Sequence, residues 1–122
     1  MKLFKTPDFF SQFISSLPGK DIVDLGCGIR KTPGALGVDQ NLLPGVDTVH
    51  NLDVFPWPLK SDKFDGVILN HVVEHLSSLP DTLREVHRIL RSGGRCWLAT
   101  PHFTMLTHRR IRLTNFISLF GL

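Results

Sequence analysis

Cysteine is scarce in this sequence: Cys27 and Cys96 are the only two among 122 residues. Two thiols cannot build a disulfide framework or a four-thiolate zinc site, which points to a reducing, cytoplasmic setting. Long hydrophobic runs are missing as well. No apolar stretch approaches the roughly 20 residues a membrane helix needs, so no span is expected. The first twenty residues carry Lys2 early, but Asp8 and several polar side chains interrupt their phenylalanines. That is unlike a secretory leader, with its apolar centre and small-residue cleavage site. Acidic side chains are absent from the last part of the chain. None follows Glu85, whereas Arg88, Arg91, Arg95, Arg109, Arg110 and Arg112 all do, an asymmetry that the net charge of +3 conceals. A cationic end favours a small-molecule anionic substrate, a phosphate-bearing molecule or nucleic acid, and the alternative is a solvated basic surface. There is no internal repeat and no low-complexity segment.

What is present reads as one globular domain. Hydrophobic residues make up 42% and charged residues 20%, and a chain of this length supports a single core. We divide residues 1–122 into an N-terminal covering helix (1–19), a core (20–103) and a basic, apolar C-terminal segment (104–122). In the first part Thr6 can cap a helix, Pro7 suits its first position and Asp8 complements the dipole. Phe9, Phe10, Phe13, Ile14 and Leu17 share one face, and Pro18-Gly19 ends the pattern.

Short strands then alternate with loops and one strong helix. Asp21–Leu25 is a buried strand ending in Gly26-Cys27-Gly28. Ala35–Val38 ends at Asp39, and Asp47–His50 precedes Asn51-Leu52-Asp53. Pro56 and Pro58 mark a loop from Phe55 to Lys63. Phe64–Asn70 is nearly continuous in apolar character, as a strand covered on both faces is. Leu79, Leu83, Val86 and Leu90 repeat at helical spacing to about Arg91, where Gly93-Gly94 is expected to stop the helix. Arg95–Thr100 reads as one more strand. The pattern predicts a Rossmann-like, doubly wound α/β fold, with a mostly parallel sheet of about five strands and flanking helices.

In such a sheet, ligands bind outside the carboxyl ends of the strands. Here those ends carry Gly26-Cys27-Gly28, Asp39, Asp53 and Asn70-His71, the residue types a nucleoside-bearing cofactor requires. Glycines let the main chain turn and approach a ligand closely. One carboxylate can accept from both ribose hydroxyls and a second from an exocyclic adenine amine.

Val23-Asp-Leu-Gly-Cys-Gly28 resembles the first motif of class I S-adenosylmethionine-dependent methyltransferases. Gly37-Val-Asp-Gln40, Phe64-Asp-Gly-Val-Ile-Leu-Asn-His-Val-Val-Glu-His75 and Leu83-Arg-Glu-Val-His-Arg-Ile-Leu-Arg-Ser-Gly-Gly-Arg95 resemble the later ones. The likeness is closest to the small type 11 methyltransferase-like group and covers residues 20–103. It implies that Gly26, Cys27 and Gly28 wrap the methionine part of S-adenosylmethionine, with Asp24 holding its amino group. A buried Asp24 that satisfies loop amides is the alternative. By the same resemblance Asp39 takes the ribose hydroxyls, Gln40 lies against the adenine, and Asp53 with the backbone of Val54 reads the adenine edge. Asn70 and His71 face the sulfonium, and S-adenosylhomocysteine is the product. Residues His71, His75 and His102 are candidates for removing a proton from a nitrogen or oxygen acceptor, since histidine titrates near neutrality. Trp57 either flanks the cofactor or packs in the core. Thr107-His-Arg-Arg-Ile-Arg112 offers arginine forks to an anionic acceptor.

The sequence departs from that family in two places. Arg30 stands where a third glycine is usual, and only ten residues, Gly26 to Ala35, link the first two strands. A parallel crossover normally takes a dozen or more, so this one is expected to lack a full helix. The 22 residues after Thr100 are too few for the usual helix and antiparallel strand pair, and Phe116–Phe120 is expected to supply one strand at most. The exposed sheet edge would invite pairing with a second copy as a homodimer. A binding module without catalysis is therefore the rival function. His71-Val-Val-Glu74-His75 also matches an inverted zinc-peptidase pattern, which needs both histidines on one helix face. A nicotinamide dehydrogenase would need glycine where Lys31 stands.

Overall fold

The computed structural model describes residues 8–109 and 112–118. Thr6, Pro7 and Arg110, each singled out above, lie outside them. The first helix, α1 (Phe9–Ser15), is capped by Asp8, whose carboxylate accepts from the amides of Phe10 at 3.1 Å and Ser11 at 3.2 Å. Asp8 is thus the cap itself rather than only a dipole partner. Phe13 is buried and Phe10, Ile14 and Leu17 pack around it, but Phe9 is 62% exposed and leaves the expected face.

Among the described residues the sheet has six strands: β1 (Ile22–Leu25), β2 (Leu36–Asp39), β3 (Thr48–Val49), β4 (Phe64–Asn70), β5 (Leu90–Ala99) and β6 (Thr104–His108). Their order is β3-β2-β1-β4-β5-β6, with β6 alone antiparallel. Strand alternation divides the core in two. Val23, Leu25, Val67, Leu69, Cys96 and Leu98 meet Leu83, Val86 and Ile89 of α2 (Leu79–Ile89), with Ile117 of α3 (Leu113–Ser118) beside them. Ile22, Ile68, Trp97 and Ala99 face α1 instead. Covering on both faces is why the central strands read as unbroken apolar runs.

Two boundaries differ from the sequence reading. Helix α2 ends at Ile89, because Leu90 is already extended and pairs with Phe64. Residues 91–94 then bulge out of the ladder before Arg95 pairs with Gly66. Gly93-Gly94 therefore serves a bulge, with Gly93 at φ +85°, rather than a helix stop.

The larger difference lies after Thr100. The Thr100 hydroxyl accepts from the amides of His102 (3.1 Å) and Phe103 (3.2 Å), and the Phe103 carbonyl accepts from the Thr100 amide at 2.8 Å. This turn folds residues 104–108 back onto β5, with Cys96 opposite Thr107 and Trp97 opposite Leu106. The sheet gains a strand that the basic composition hid, and residues 116–118 are helical rather than extended. The rest of that expected strand, Leu119 and Phe120, lies outside the described residues. Residues 26–35 contain no helix, as their number implied. Among the described residues no helix is long and apolar enough to cross a membrane.

Candidate active site

The carboxyl ends of β1, β2 and β4 open onto two adjoining cavities that share Gly26, Gly28 and His71. The first, of about 410 Å³, is bounded by Asp39, Gln40, Asp53, Val72 and His75. The second, of about 640 Å³, reaches towards α1 and includes Asp24, Cys27 and Asn70. Gly26 leaves β1 at φ +69°, and its amide donates to the Val38 carbonyl at 2.7 Å, turning the chain across the top of β2.

At that turn a side chain would be strained twice. A Cβ on Gly26 would stand 2.7 Å from Val72 Cγ2 in a left-handed conformation, which costs an L-residue roughly 1–2 kcal/mol. Gly26→Ala is therefore expected to lower the unfolding free energy by about 1–2 kcal/mol, read from urea denaturation. An unchanged midpoint would show that the turn relaxes freely.

Asp39 ends β2. One oxygen of its carboxylate accepts from the Gly28 amide and the other from the Asn41 amide, each at 3.0 Å. Both oxygens keep a lone pair, and the group is fixed between the glycine loop and the first cavity. Asp24 is buried, 5% exposed, and accepts from the amide (2.8 Å) and hydroxyl (3.0 Å) of Thr32. It thereby ties down the far end of the loop. Burial pushes its carboxyl above the ordinary value, against the lowering effect of the Thr32 bonds. Cys27 is held up too, by burial first and then by the Asp24 and Asp39 carboxylates. Cys96, wholly enclosed, is pushed up to about 12.

The wall after β3 is positioned from a distance. Trp57 is 3% exposed, and its indole donates to the Leu52 carbonyl at 3.0 Å. It is core, not a cofactor flank. Its backbone amide donates to Glu85 of α2 at 2.7 Å, and Glu85 pairs with Arg88 at 2.5 Å. Arg88 in turn donates to the carbonyls of Leu59 (2.8 Å) and Trp57 (3.2 Å). Asp53 is placed so that its carboxylate accepts from the amide (2.8 Å) and hydroxyl (3.2 Å) of Ser77. Val54 is not among the residues lining either cavity, and its amide already donates to the Asn51 carbonyl at 2.9 Å.

The three histidines part company. His71 stands between the cavities in a left-handed conformation, φ +57°, a backbone strain that persists only where its surroundings hold it. His75 borders the first cavity. His102 sits in the exposed turn before β6 and borders neither. Val73–His75 is a single 3-10 turn that begins after His71, so the two histidines do not share a helix face. Among the described residues no group of three metal-ligating side chains converges, and the geometry the zinc reading needs is not formed. Two members of the basic segment are engaged or enclosed. Thr107 is buried in β6, and Arg109 pairs with Asp62 at 3.2 Å and with His87 at 3.3 Å.

Sequence reasoning missed the residues that complete the second cavity. Phe10 arrives from α1, Trp97 from β5, and Arg30 from the loop where a glycine was expected. Phe10 and Trp97 lie in no motif and Arg30 replaces a motif glycine, so no local signal marks them as cavity residues.

Residues 24–98, more than half of the chain, match the family model described as a methyltransferase domain. A 37.1 kDa protein in a transposon of Streptomyces fradiae is 27% identical over 117 residues, covering 77% of this chain and 34% of that one. A 2-phytyl-1,4-naphtoquinone methyltransferase of Nostoc punctiforme is 25% identical over 80 residues, 66% of this chain and 34% of its own. The chain thus spans about a third of the length of these curated relatives. A SAM-dependent methyltransferase from Archaeoglobus fulgidus superposes with a TM-score of 0.60 at 21% identity, covering 76% of this chain and 50% of that one.

Proposed function

This chain belongs to the methyltransferase domain family, and we propose that it binds S-adenosylmethionine across the carboxyl ends of β1, β2 and β4 and transfers its methyl group to an acceptor. The observation that carries the reading is Asp39, fixed by two loop amides at the mouth of the first cavity with a lone pair left on each oxygen. That is the arrangement two adjacent ribose hydroxyls would match, and it fits the cofactor.

Gln40 would lie against the adenine, and Asp53 would meet its edge. Val54 is the weaker part of that contact, since its amide is already engaged. Gly26, Cys27 and Gly28 would wrap the methionine part beside Asp24, whose Thr32 bonds hold the loop in place for it. When bound, the sulfonium supplies an activated methyl group. The chain's task is to align the acceptor and exclude water. Where the acceptor is a nitrogen or oxygen acid, His71 is the best-placed group to take its proton, because it faces both cavities. His75 is second, and His102 has no geometric support. Binding without transfer is the second reading.

We also place residues 20–103 as the cofactor-binding core, with α1 as its cover and β6 as its edge. Cys27 and Cys96 are both free thiols, which suits a cytoplasmic location. The open edge of β6 would admit a second copy. An anionic substrate or a nucleic-acid partner would meet the basic C-terminal segment without Arg109, which is paired with Asp62.

Calorimetric titration with S-adenosylmethionine and S-adenosylhomocysteine tests the reading. Saturable binding is expected, weakened at least tenfold by Asp39→Ala, about 1.4 kcal/mol. A folded chain that binds neither ligand would overturn it.

A further inference from the structure

The second cavity reaches past the glycine loop to α1 and β5, and its far wall has a character of its own. Trp97 forms part of it, and Phe10 meets that indole edge-on with ring centroids 5.1 Å apart. Ile68 extends the apolar floor. Trp97 is 8% exposed, yet its indole Nε1–H is buried with no hydrogen-bond partner.

The rim is cationic. Lys31 is already paired with Asp47 at 3.4 Å. Arg30 borders the same cavity, is exposed, and has no carboxylate within pairing distance among the described residues. The one carboxylate of this wall, Asp24, is turned to Thr32. One unpaired guanidinium beside an aromatic floor suits a planar ring carrying a single negative charge. It suits a dianionic phosphate less well, which calls for more than one cation.

Resting on the methyl-transfer reading, we propose that the acceptor is a small aromatic carboxylate. Its ring lies against Phe10 and Trp97, its carboxylate pairs with Arg30, and its ring oxygen stands beside His71. The nucleophilic oxygen then bonds to the methyl carbon as the carbon–sulfur bond breaks towards sulfur. The product is S-adenosylhomocysteine, and the acceptor's proton passes to His71.

The probes are 4-hydroxybenzoate, its neutral amide, and phenyl phosphate, titrated by calorimetry with and without saturating S-adenosylhomocysteine. The indole N–H resonances are followed by NMR and assigned with Trp97→Phe. We expect 4-hydroxybenzoate to bind at least tenfold more tightly than the amide and more tightly than phenyl phosphate. Arg30→Ala, an exposed substitution that leaves the fold intact, should remove that preference, and Arg30→Lys should restore part of it. The Trp97 N–H resonance should shift on binding. Equal affinity for acid and amide, indifference to Arg30→Ala, or preference for the phosphate overturns the proposal. A chain that binds S-adenosylhomocysteine but not 4-hydroxybenzoate rejects the acceptor class and keeps the cofactor site. One that binds 4-hydroxybenzoate through Arg30 without the cofactor keeps the cavity and rejects the transfer reading. Binding of neither rejects both.

Discussion

Replacing Glu85 with alanine should lower the unfolding free energy by about 1–3 kcal/mol, the usual cost of leaving a buried hydrogen-bonding group without its partner. The Glu85 side chain is 12% exposed, and Arg88 depends on it for charge balance while holding the Leu59 and Trp57 carbonyls. Removing Glu85 strands the guanidinium and leaves the Trp57 amide without an acceptor. Arg88→Ala should cost a similar amount, and the double variant much less than the sum, because both act on one network.

The pH dependence has a defined sign. Burial alone would raise the Glu85 carboxyl, but the Arg88 bonds, the Trp57 amide and the Arg88 charge together hold it below its ordinary 4.5. A carboxyl depressed by folding contributes stability above its unfolded pKa, and that contribution is lost as pH falls through the folded value. The parent protein should therefore lose stability below about pH 4.5, and Glu85→Gln should flatten that part of the profile. Chemical denaturation from pH 7 to 3 measures both. Parallel pH profiles for parent and variant would show that Glu85 is already equally ionised in the unfolded chain.

Trp57→Ala is expected to cost about 3–5 kcal/mol, the range for truncating a buried aromatic. Trp57 fills the core between the 50–63 loop and α2, stacked on Phe55 with centroids 6.1 Å apart. Its indole is also the donor to the Leu52 carbonyl at the wall of the first cavity. Trp57→Phe keeps most of the volume and removes that donor, so about 1–3 kcal/mol should be lost. In both variants affinity for S-adenosylhomocysteine should fall with stability, since Leu52 and Asp53 lose their support. A Trp57→Ala chain that stays within about 0.5 kcal/mol of the parent in urea, a loss typical of exposed positions, would show that the loop holds itself.

Much of the candidate site was legible because it is local. A glycine turn after an apolar strand, or an acidic residue where a strand stops, is written in four to six consecutive residues. Backbone sterics and the period of two place it without help from the rest of the chain. Asp39 was found that way, and so was the missing helix between β1 and β2, which follows from chain length alone. Strand β6 was not legible. Thr104–His108 alternates only weakly, and its arginine-rich neighbourhood reads as a solvated tail until the Thr100 turn lays it against β5. Leu90 misled for the opposite reason: it carries the helical period of α2 but is drawn into the sheet opposite Phe64.

By itself, then, the sequence determined the class of fold, the glycine loop and acidic residues at the strand ends, and the family. Each depends on short-range pattern. Tertiary structure alone decided that Trp57 is core, that Arg109 is neutralised by Asp62, that His71 and His75 fall on separate elements, and that Phe10, Arg30 and Trp97 meet around one cavity. Those outcomes depend on contacts between residues tens of positions apart. Their energies come from burial and pairing, which no local window of the chain contains.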